Sequence, residues 1–153
     1  MQLARATAAL ATGVLPEVRL VRRFGAVEAP SRSRKLAISS ASLGFVREAM
    51  RAVAEEPGGS AEPALNSRGL GFRIGAKTGS GDIGTTAVVG ADGRERVRKH
   101  TWLIGFFPFD APRYVVVVFC HDTLQTASHG AIWLARQFLR SEPVQQLVRE
   151  EAR

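Results

Sequence analysis

The sequence predicts an α+β fold in which helices flank a three-stranded antiparallel sheet. Three segments have strand character, at about residues 70–79, 100–107 and 114–120. Side-chain types alternate along the second segment, and the third is a continuous apolar run typical of a strand buried on both faces. Apolar residues at helical spacing occur before and after these segments. The resulting order of two helices, three strands and a terminal helix favours α+β over alternating βαβ units.

Two helices are predicted before the strands. The first covers Gln2–Thr12, which is rich in alanine and leucine and stops at Gly13, a residue that often ends a helix. Ser40 or Ser42 is expected to cap the second helix, which ends before Pro57. The buried stripe of that helix recurs at helical spacing and consists of Leu43, Val46, Ala49, Met50 and Val53. The other early segments are predicted to be extended at 16–24, loop at 25–35 and irregular at 61–68.

Turn signals connect the strands and lead into the terminal helix. Asp110–Pro112 is a tight turn, so the last two strands should form an antiparallel hairpin. Ala91–Arg94 marks a turn in the longer, basic connection before the second strand. Ser128 is expected to cap the terminal helix, and Pro143 is expected to interrupt it and start a last short helix, Val144–Glu151. The apolar face of the terminal helix is predicted to comprise Ala131, Leu134, Ala135, Phe138 and Leu139.

Composition limits the functional classes. A chain of 153 residues suits one domain with a modest core. The formal net charge is +7, but the basic residues are scattered and do not alternate with aromatic side chains as a stacking platform would, so no nucleic-acid partner is expected. A basic, non-catalytic binding module stays as an alternative that salt-dependent binding would reveal. No stretch approaches the roughly 20 apolar residues of a transmembrane helix.

The segment Lys77-Thr78-Gly79-Ser80 carries the strongest chemical signal. An ammonium, two hydroxyls and a glycine at the end of a strand form an anion-binding edge, because the glycine lets another backbone approach. A phosphate loop is excluded, since Ala76 stands where glycine must precede the lysine. The three histidines lack metal-ligand spacing, so no metal or cofactor is predicted.

Lys-Thr-Gly-Ser is one of three short motifs of the penicillin-recognising serine acyltransferases. With its flanking segments, the chain resembles the C-terminal part of a penicillin-binding protein transpeptidase domain, in the serine β-lactamase and D,D-peptidase superfamily. Residues 2–13 look like the family helix Gln-Leu-Ala-x-Ala-x-Ala-x-Leu-Ala-Asn-Gly. The resemblance continues in order through 16–22, 46–53, Gly59-Ser60-Ala61, 100–108, 113–120 and 127–139.

The resemblance implies acyl transfer from D-Ala-D-Ala stem peptides of peptidoglycan, with β-lactams trapping the same serine nucleophile. The backbone N–H of Ser80 would be one oxyanion-hole donor. Lys77 would support the proton relay and place positive potential near the substrate carboxylate. The hydroxyls of Thr78 and Ser80 would bind that carboxylate, and a side chain at Gly79 would obstruct the cleft. No cofactor is implied.

The other two family motifs are absent. No serine stands three residues before Lys35, Lys77 or Lys99, so there is no Ser-x-x-Lys, and Asn66, the only asparagine, lacks a serine two residues earlier. We therefore expect residues 1–153 to be the C-terminal portion of one transpeptidase domain, a partial β-lactamase/transpeptidase-like fold without its nucleophile, and inactive alone. The parent protein is expected at the periplasmic face of the inner membrane, although this chain has no export signal.

A class A β-lactamase-like hydrolase is the nearest alternative. Residues 81–86 after the motif resemble such enzymes, and Glu62-Pro63-Ala64-Leu65-Asn66 mimics their Glu-x-x-Leu-Asn loop. Only a short loop separates Glu62 from Lys77, however, and the lactamase loop needs a much longer separation to cross the cleft floor. Glu62 and Asn66 are therefore predicted to be surface-loop residues.

The resemblance to penicillin-binding proteins also implies that the motif strand lies at a sheet edge. It does not distinguish penicillin-binding proteins of class A from those of class B.

Overall fold

A computed structural model gives the fold and describes residues 1–21, 23–28, 32–89, 93, 95–124 and 130–151. The helices are α1 Gln2–Thr12, α2 Ser40–Glu55, α3 Glu62–Leu65, α4 Ser67–Leu70, α5 Ala131–Leu139 and α6 Glu142–Glu151. The strands are β1 Val14–Leu15, β2 Arg23–Phe24, β3 Val27–Glu28, β4 Arg34–Lys35, β5 Gly75–Val89, β6 Glu95–Phe107 and β7 Tyr114–Leu124. The predicted α+β class is confirmed.

The main sheet is antiparallel, with strand order β5-β6-β7. Among the strands described, β5 pairs only with β6, so the strand that carries the motif lies at an edge. The predicted start of this strand at residue 70 is wrong. Leu70 belongs to α4, where the side chain of Asn66 accepts a hydrogen bond from the Gly69 N–H, and Gly71 ends that helix at a φ of 84°.

The strands also run further than the sequence predicts. β5 continues to Val89 and β6 begins at Glu95, because residues 87–89 and 95–97 of the basic connection pair with each other and extend the hairpin. The register shifts between Asp82 and Ala87, which marks an irregularity in the ladder. β7 continues to Leu124.

Helix limits agree with the predictions at several ends and differ at others. The first helix is confirmed, with Gly13 at a φ of 75°. The cap of α2 is Ser39 rather than either predicted serine, since its side chain accepts from the Ser42 N–H at 3.0 Å. The last helix begins at Glu142, so Pro143 lies in its first turn. The segment 61–68, predicted as irregular, contains α3 and the first half of α4. The predicted cap Ser128 lies outside the described residues.

Two hydrophobic clusters lie on opposite faces of the sheet. The face covered by α5 and α6, here the C-terminal-helix face, buries residues from all three strands and from both helices: Ile74, Ala76, Leu103, Phe107, Val116, Ala131, Ala135, Leu139 and Val144. On the other face, here the N-terminal-helix face, Phe106 and Val115 pack with Ala11 of α1 and Met50 of α2. Alternation along β5, β6 and β7 therefore assigns each side chain to one of these faces.

The N-terminal-helix face is covered only in part by the described residues. Val117 and Phe119 of β7 are 38% and 58% exposed, whereas their neighbours Val116 and Val118 belong to the buried cluster on the opposite face. The prediction that this strand is buried on both faces is therefore wrong for the residues described. The terminal helix shows a similar difference, because Leu134 and Phe138 of its predicted apolar face are 45% and 50% exposed.

Candidate active site

The motif Lys77–Ser80 divides between the two faces of the edge strand β5. Thr78 pairs with Leu103 and Ser80 with Thr101, both on the C-terminal-helix face. Lys77 pairs with Ile104, so its side chain lies on the opposite face. The motif therefore presents two hydroxyls to one side of the edge and an ammonium to the other.

A cavity of about 640 Å³ adjoins this edge. Its walls are β5 and β6, the segment around α3, and the first turns of α5. It is lined by Ser60, Pro63, Ala64, Lys77, Thr78, Gly79, Ser80, Thr101, Trp102, Gly130, Ala131, Ile132, Trp133 and Arg136. Four hydroxyl side chains and two cations are in that set, and no carboxylate is. The cavity is therefore suited to an anion with apolar substituents.

Ser60 holds the Thr78 side chain at the mouth of the cavity. The two hydroxyls are hydrogen-bonded, with 2.7 Å between Ser60 Oγ and Thr78 Oγ1. The turn after α2 places Ser60 there: a Cβ on Gly59 would be 2.5 Å from the Val53 carbonyl oxygen, so only glycine fits. In the sequence, Gly59-Ser60-Ala61 stands out only as part of the family resemblance, and no local pattern indicates that Ser60 contacts Thr78.

Gly79 is required by a tryptophan of the neighbouring strand. A Cβ at Gly79 would be 2.1 Å from the indole Cε2 and Nε1 of Trp102, a distance at which atoms cannot coexist. At Gly81 the nearest indole atom would be 3.7 Å away, which is an ordinary contact. The structure thus gives a reason for this glycine within the sheet itself: the indole lies across the backbone of β5.

Lys77 is exposed, and its ammonium donates to the Thr78 carbonyl oxygen at 2.6 Å. Within the described ranges, no carboxylate forms an ion pair with Lys77. Among these residues its positive charge is therefore not neutralised, and the side chain lies exposed at the edge of the strand.

Thr101 joins the sheet to the start of α5. Its buried side-chain oxygen accepts from the Ala131 N–H at 3.1 Å. Gly130, at a φ of 96°, lies so close that an added Cβ would be 3.3 Å from Thr101 Oγ1. This contact fixes the distance between β6 and α5, and with it the width of the cavity beside Ser80.

Arg136 is a charged cavity residue that the sequence does not single out. It is half-buried on α5, one helical turn after Ile132 and Trp133, which also line the cavity. No hydrogen bond or ion pair of its guanidinium is found with the residues that the structure describes. The sequence indicates this position only weakly: residues 132, 133 and 136 are spaced so that they share one side of a helix.

Glu62 and Asn66 do not line the cavity. The Glu62 carboxylate lies 3.4 Å from the Arg68 guanidinium, and Asn66 caps α4. They were predicted to be surface-loop residues; they instead stand at helix ends, with structural roles. The described part of the chain contains no group of three or more histidine, cysteine, aspartate or glutamate residues able to hold a metal ion.

The chain is similar to one family of known proteins. Residues 1–139 match the family model of the penicillin binding protein transpeptidase domain. No curated protein sequence is significantly similar to the chain. No helix of the described residues has both the length and the apolar character that a membrane span requires.

Solved structures share the fold. The Helicobacter pylori penicillin-binding protein PBP2 in a complex with MreC is 20% identical to this chain, with a TM-score of 0.61 over 96% of this chain and 24% of that one. Helicobacter pylori PBP2 alone is 19% identical, with a TM-score of 0.60 over 97% of this chain and 24% of that one. Penicillin-binding protein 2B from Streptococcus pneumoniae R6 is 24% identical, with a TM-score of 0.65 over 91% of this chain and 23% of that one. This chain thus spans about a quarter of their length. Because the family model matches most of its length, the chain belongs to the penicillin-binding protein transpeptidase domain family.

Proposed function

We propose that this chain forms one wall of the active site of a peptidoglycan D,D-transpeptidase. The observation that carries the proposal is the position of Lys77-Thr78-Gly79-Ser80 on an edge strand beside a cavity lined by hydroxyls and cations. Family membership supplies the reaction class, a serine acyl transfer. The substrate would be the D-Ala-D-Ala end of a stem peptide, and β-lactams would occupy the same place.

Substrate binding is the first task assigned to the wall. The terminal carboxylate enters the cavity and accepts hydrogen bonds from the hydroxyls of Thr78 and Ser80, on the C-terminal-helix face. Ser60 supports this arrangement because it is hydrogen-bonded to Thr78 and limits the rotamers of that side chain. The Lys77 ammonium adds positive potential at the same edge and, in the complete site, would support the proton relay.

Stabilisation of the tetrahedral intermediate is the second task. Attack on the scissile amide puts negative charge on its oxygen, which needs N–H donors already in place. At the open edge of an antiparallel strand, alternate backbone N–H groups point away from the neighbouring strand. We assign one oxyanion donor to the N–H of Ser80, in agreement with the edge position of β5.

The nucleophile is proposed to lie in a part of the enzyme outside residues 1–153. Ser-x-x-Lys and Ser-x-Asn are absent from this sequence, and the chain spans about a quarter of its solved relatives. The 153 residues would then be the C-terminal portion of one transpeptidase domain and would not acylate alone. The complete enzyme would act on peptidoglycan at the periplasmic face of the inner membrane.

Two measurements test this proposal on the chain itself. Acetyl-D-Ala-D-Ala is expected to change the fluorescence of the two tryptophans, since both line the cavity, whereas acetyl-L-Ala-L-Ala should bind more weakly. Fluorescent penicillin should leave no covalent band on a denaturing gel. Equal responses to the two dipeptides would overturn the substrate assignment, and a covalent, β-lactam-dependent band would overturn the assignment of the nucleophile to another segment.

A further inference from the structure

The two cations of the cavity differ in which face of the sheet they occupy. Lys77 belongs with Ile104 to the N-terminal-helix face, and its ammonium donates to the Thr78 carbonyl oxygen. Arg136 lies on α5, which packs on the C-terminal-helix face through Ala131, Ala135 and Leu139. The cation on the same side as the Thr78 and Ser80 hydroxyls is therefore Arg136.

The charge of Arg136 also lacks a partner among the residues that the structure places. Three other arginines bind carboxylates within 2.6–2.8 Å: Arg51 with Glu48 and Glu56, Arg73 with Asp110, and Arg98 with Asp122. No such contact is found for Arg136 in the described ranges, and no acidic residue lines the cavity. The guanidinium of this half-buried residue, in these surroundings, gains from any anion that enters.

We propose that Arg136 binds the carboxylate of the ligand and supplies a positive charge for its recognition on the face of the Thr78 and Ser80 hydroxyls. This inference rests on the proposed function, since the ligand is the D-Ala-D-Ala terminus or the carboxylate of a β-lactam. The planar guanidinium can donate two parallel N–H···O bonds to a carboxylate, and Thr78 and Ser80 donate O–H bonds. Arg136 is thus a specificity-determining residue that selects a free carboxylate, separate from the Lys77 ammonium.

A pair of ligands that differ only in charge tests the inference. The chain is titrated with acetyl-D-Ala-D-Ala and with its C-terminal amide, and binding is followed by tryptophan fluorescence, since Trp102 and Trp133 line the cavity. Arg136→Gln is expected to weaken binding of the carboxylate roughly tenfold or more, as expected for a lost charge-assisted hydrogen bond, and to leave binding of the amide unchanged. Arg136→Lys should restore part of the affinity.

Arg140→Gln is the matched control, because Arg140 is an exposed arginine at the end of the same helix and does not line this cavity. It should leave both affinities unchanged. If Arg136→Gln weakens both ligands equally, or neither, the inference is wrong while the proposed function stands. If the wild-type chain binds neither ligand, the proposed function itself fails.

A measurement on the wild-type chain tests the Arg136 contact without depending on whether a variant folds. In ¹⁵N-arginine-labelled protein, the Nε–H signal of Arg136 should shift when acetyl-D-Ala-D-Ala is added and stay in place with the amide. A shift of the Arg136 Nε–H signal with both ligands would contradict a carboxylate contact at Arg136. So would no shift of that signal with either ligand while other signals respond to the carboxylate.

Discussion

The substitution Gly79→Ala tests whether the indole of Trp102 requires glycine in the motif. Relaxed carbon contacts lie at about 3.5–4.0 Å, whereas the new methyl group would start 2.1 Å from the indole Cε2. The indole or the strand must therefore move by about 1.5 Å to restore contact distance. Trp102 is half-buried and can move only in part, so we expect a loss of about 1–3 kcal/mol in the free energy of unfolding.

Gly81→Ala is the matched control on the same strand. Its Cβ would meet the same indole at 3.7 Å, so the free energy of unfolding should change by less than about 0.5 kcal/mol. Both variants are compared by urea unfolding followed by circular dichroism, which does not depend on the fluorescence of the tryptophan under test. Equal stability of the two variants would refute the steric explanation.

A double-mutant cycle separates the indole from other causes. In a Trp102→Ala background the clash is absent, so adding Gly79→Ala should cost little, and the coupling free energy should equal most of the loss seen with the indole present. If the loss from Gly79→Ala persists without the indole, the backbone of β5 and not Trp102 determines the need for glycine.

Four further substitutions test the framework of the cavity by urea unfolding. Ser60→Ala removes the 2.7 Å hydroxyl pair at the cavity mouth and should cost about 0.5–1.5 kcal/mol; no change would show that the pair is not formed in solution. Thr101→Val leaves the Ala131 N–H without its acceptor and should cost about 1–3 kcal/mol, whereas wild-type stability would contradict the buried bond. Leu139→Ala should cost about 2–5 kcal/mol because Leu139 is fully buried, and Phe138→Ala should cost much less because Phe138 is 50% exposed. Similar losses from the two substitutions would contradict the observed buried face of α5.

Much of the fold could be predicted because its signals are local. Gly13 ends α1, and the turn at 110–112 joins the two strands that form a hairpin. The position of the motif at a sheet edge follows from the family resemblance, and the structure has β5 at an edge of the described sheet. The limits of β5 and β6 were less accurate, since the 82–97 connection extends the hairpin by pairing with itself, and strand formation depends more on context than on local propensity.

The cavity could be predicted only in part. The motif residues were evident, but Ser60 and Arg136 reach the cavity from two other segments, and their relation to Thr78 exists only in the folded chain. Apolar residues on both sides of α5 also obscured which face is buried: Leu139 packs in the core, whereas Leu134 and Phe138 do not. Leucine and phenylalanine at the surface are common enough that composition does not separate the two faces.

A map of backbone amide shifts, recorded when acetyl-D-Ala-D-Ala is added to ¹⁵N-labelled chain, tests most directly whether this wall recognises the substrate carboxylate. We expect the largest shifts on residues 78–80, on Thr101 and on the α5 residues that line the cavity, Ala131, Ile132, Trp133 and Arg136. Replacing the terminal carboxylate by an amide should reduce those shifts strongly. Shifts confined to the basic connection around Arg98 and Lys99, or equal shifts with the amide, would contradict the claim that this wall recognises the substrate carboxylate.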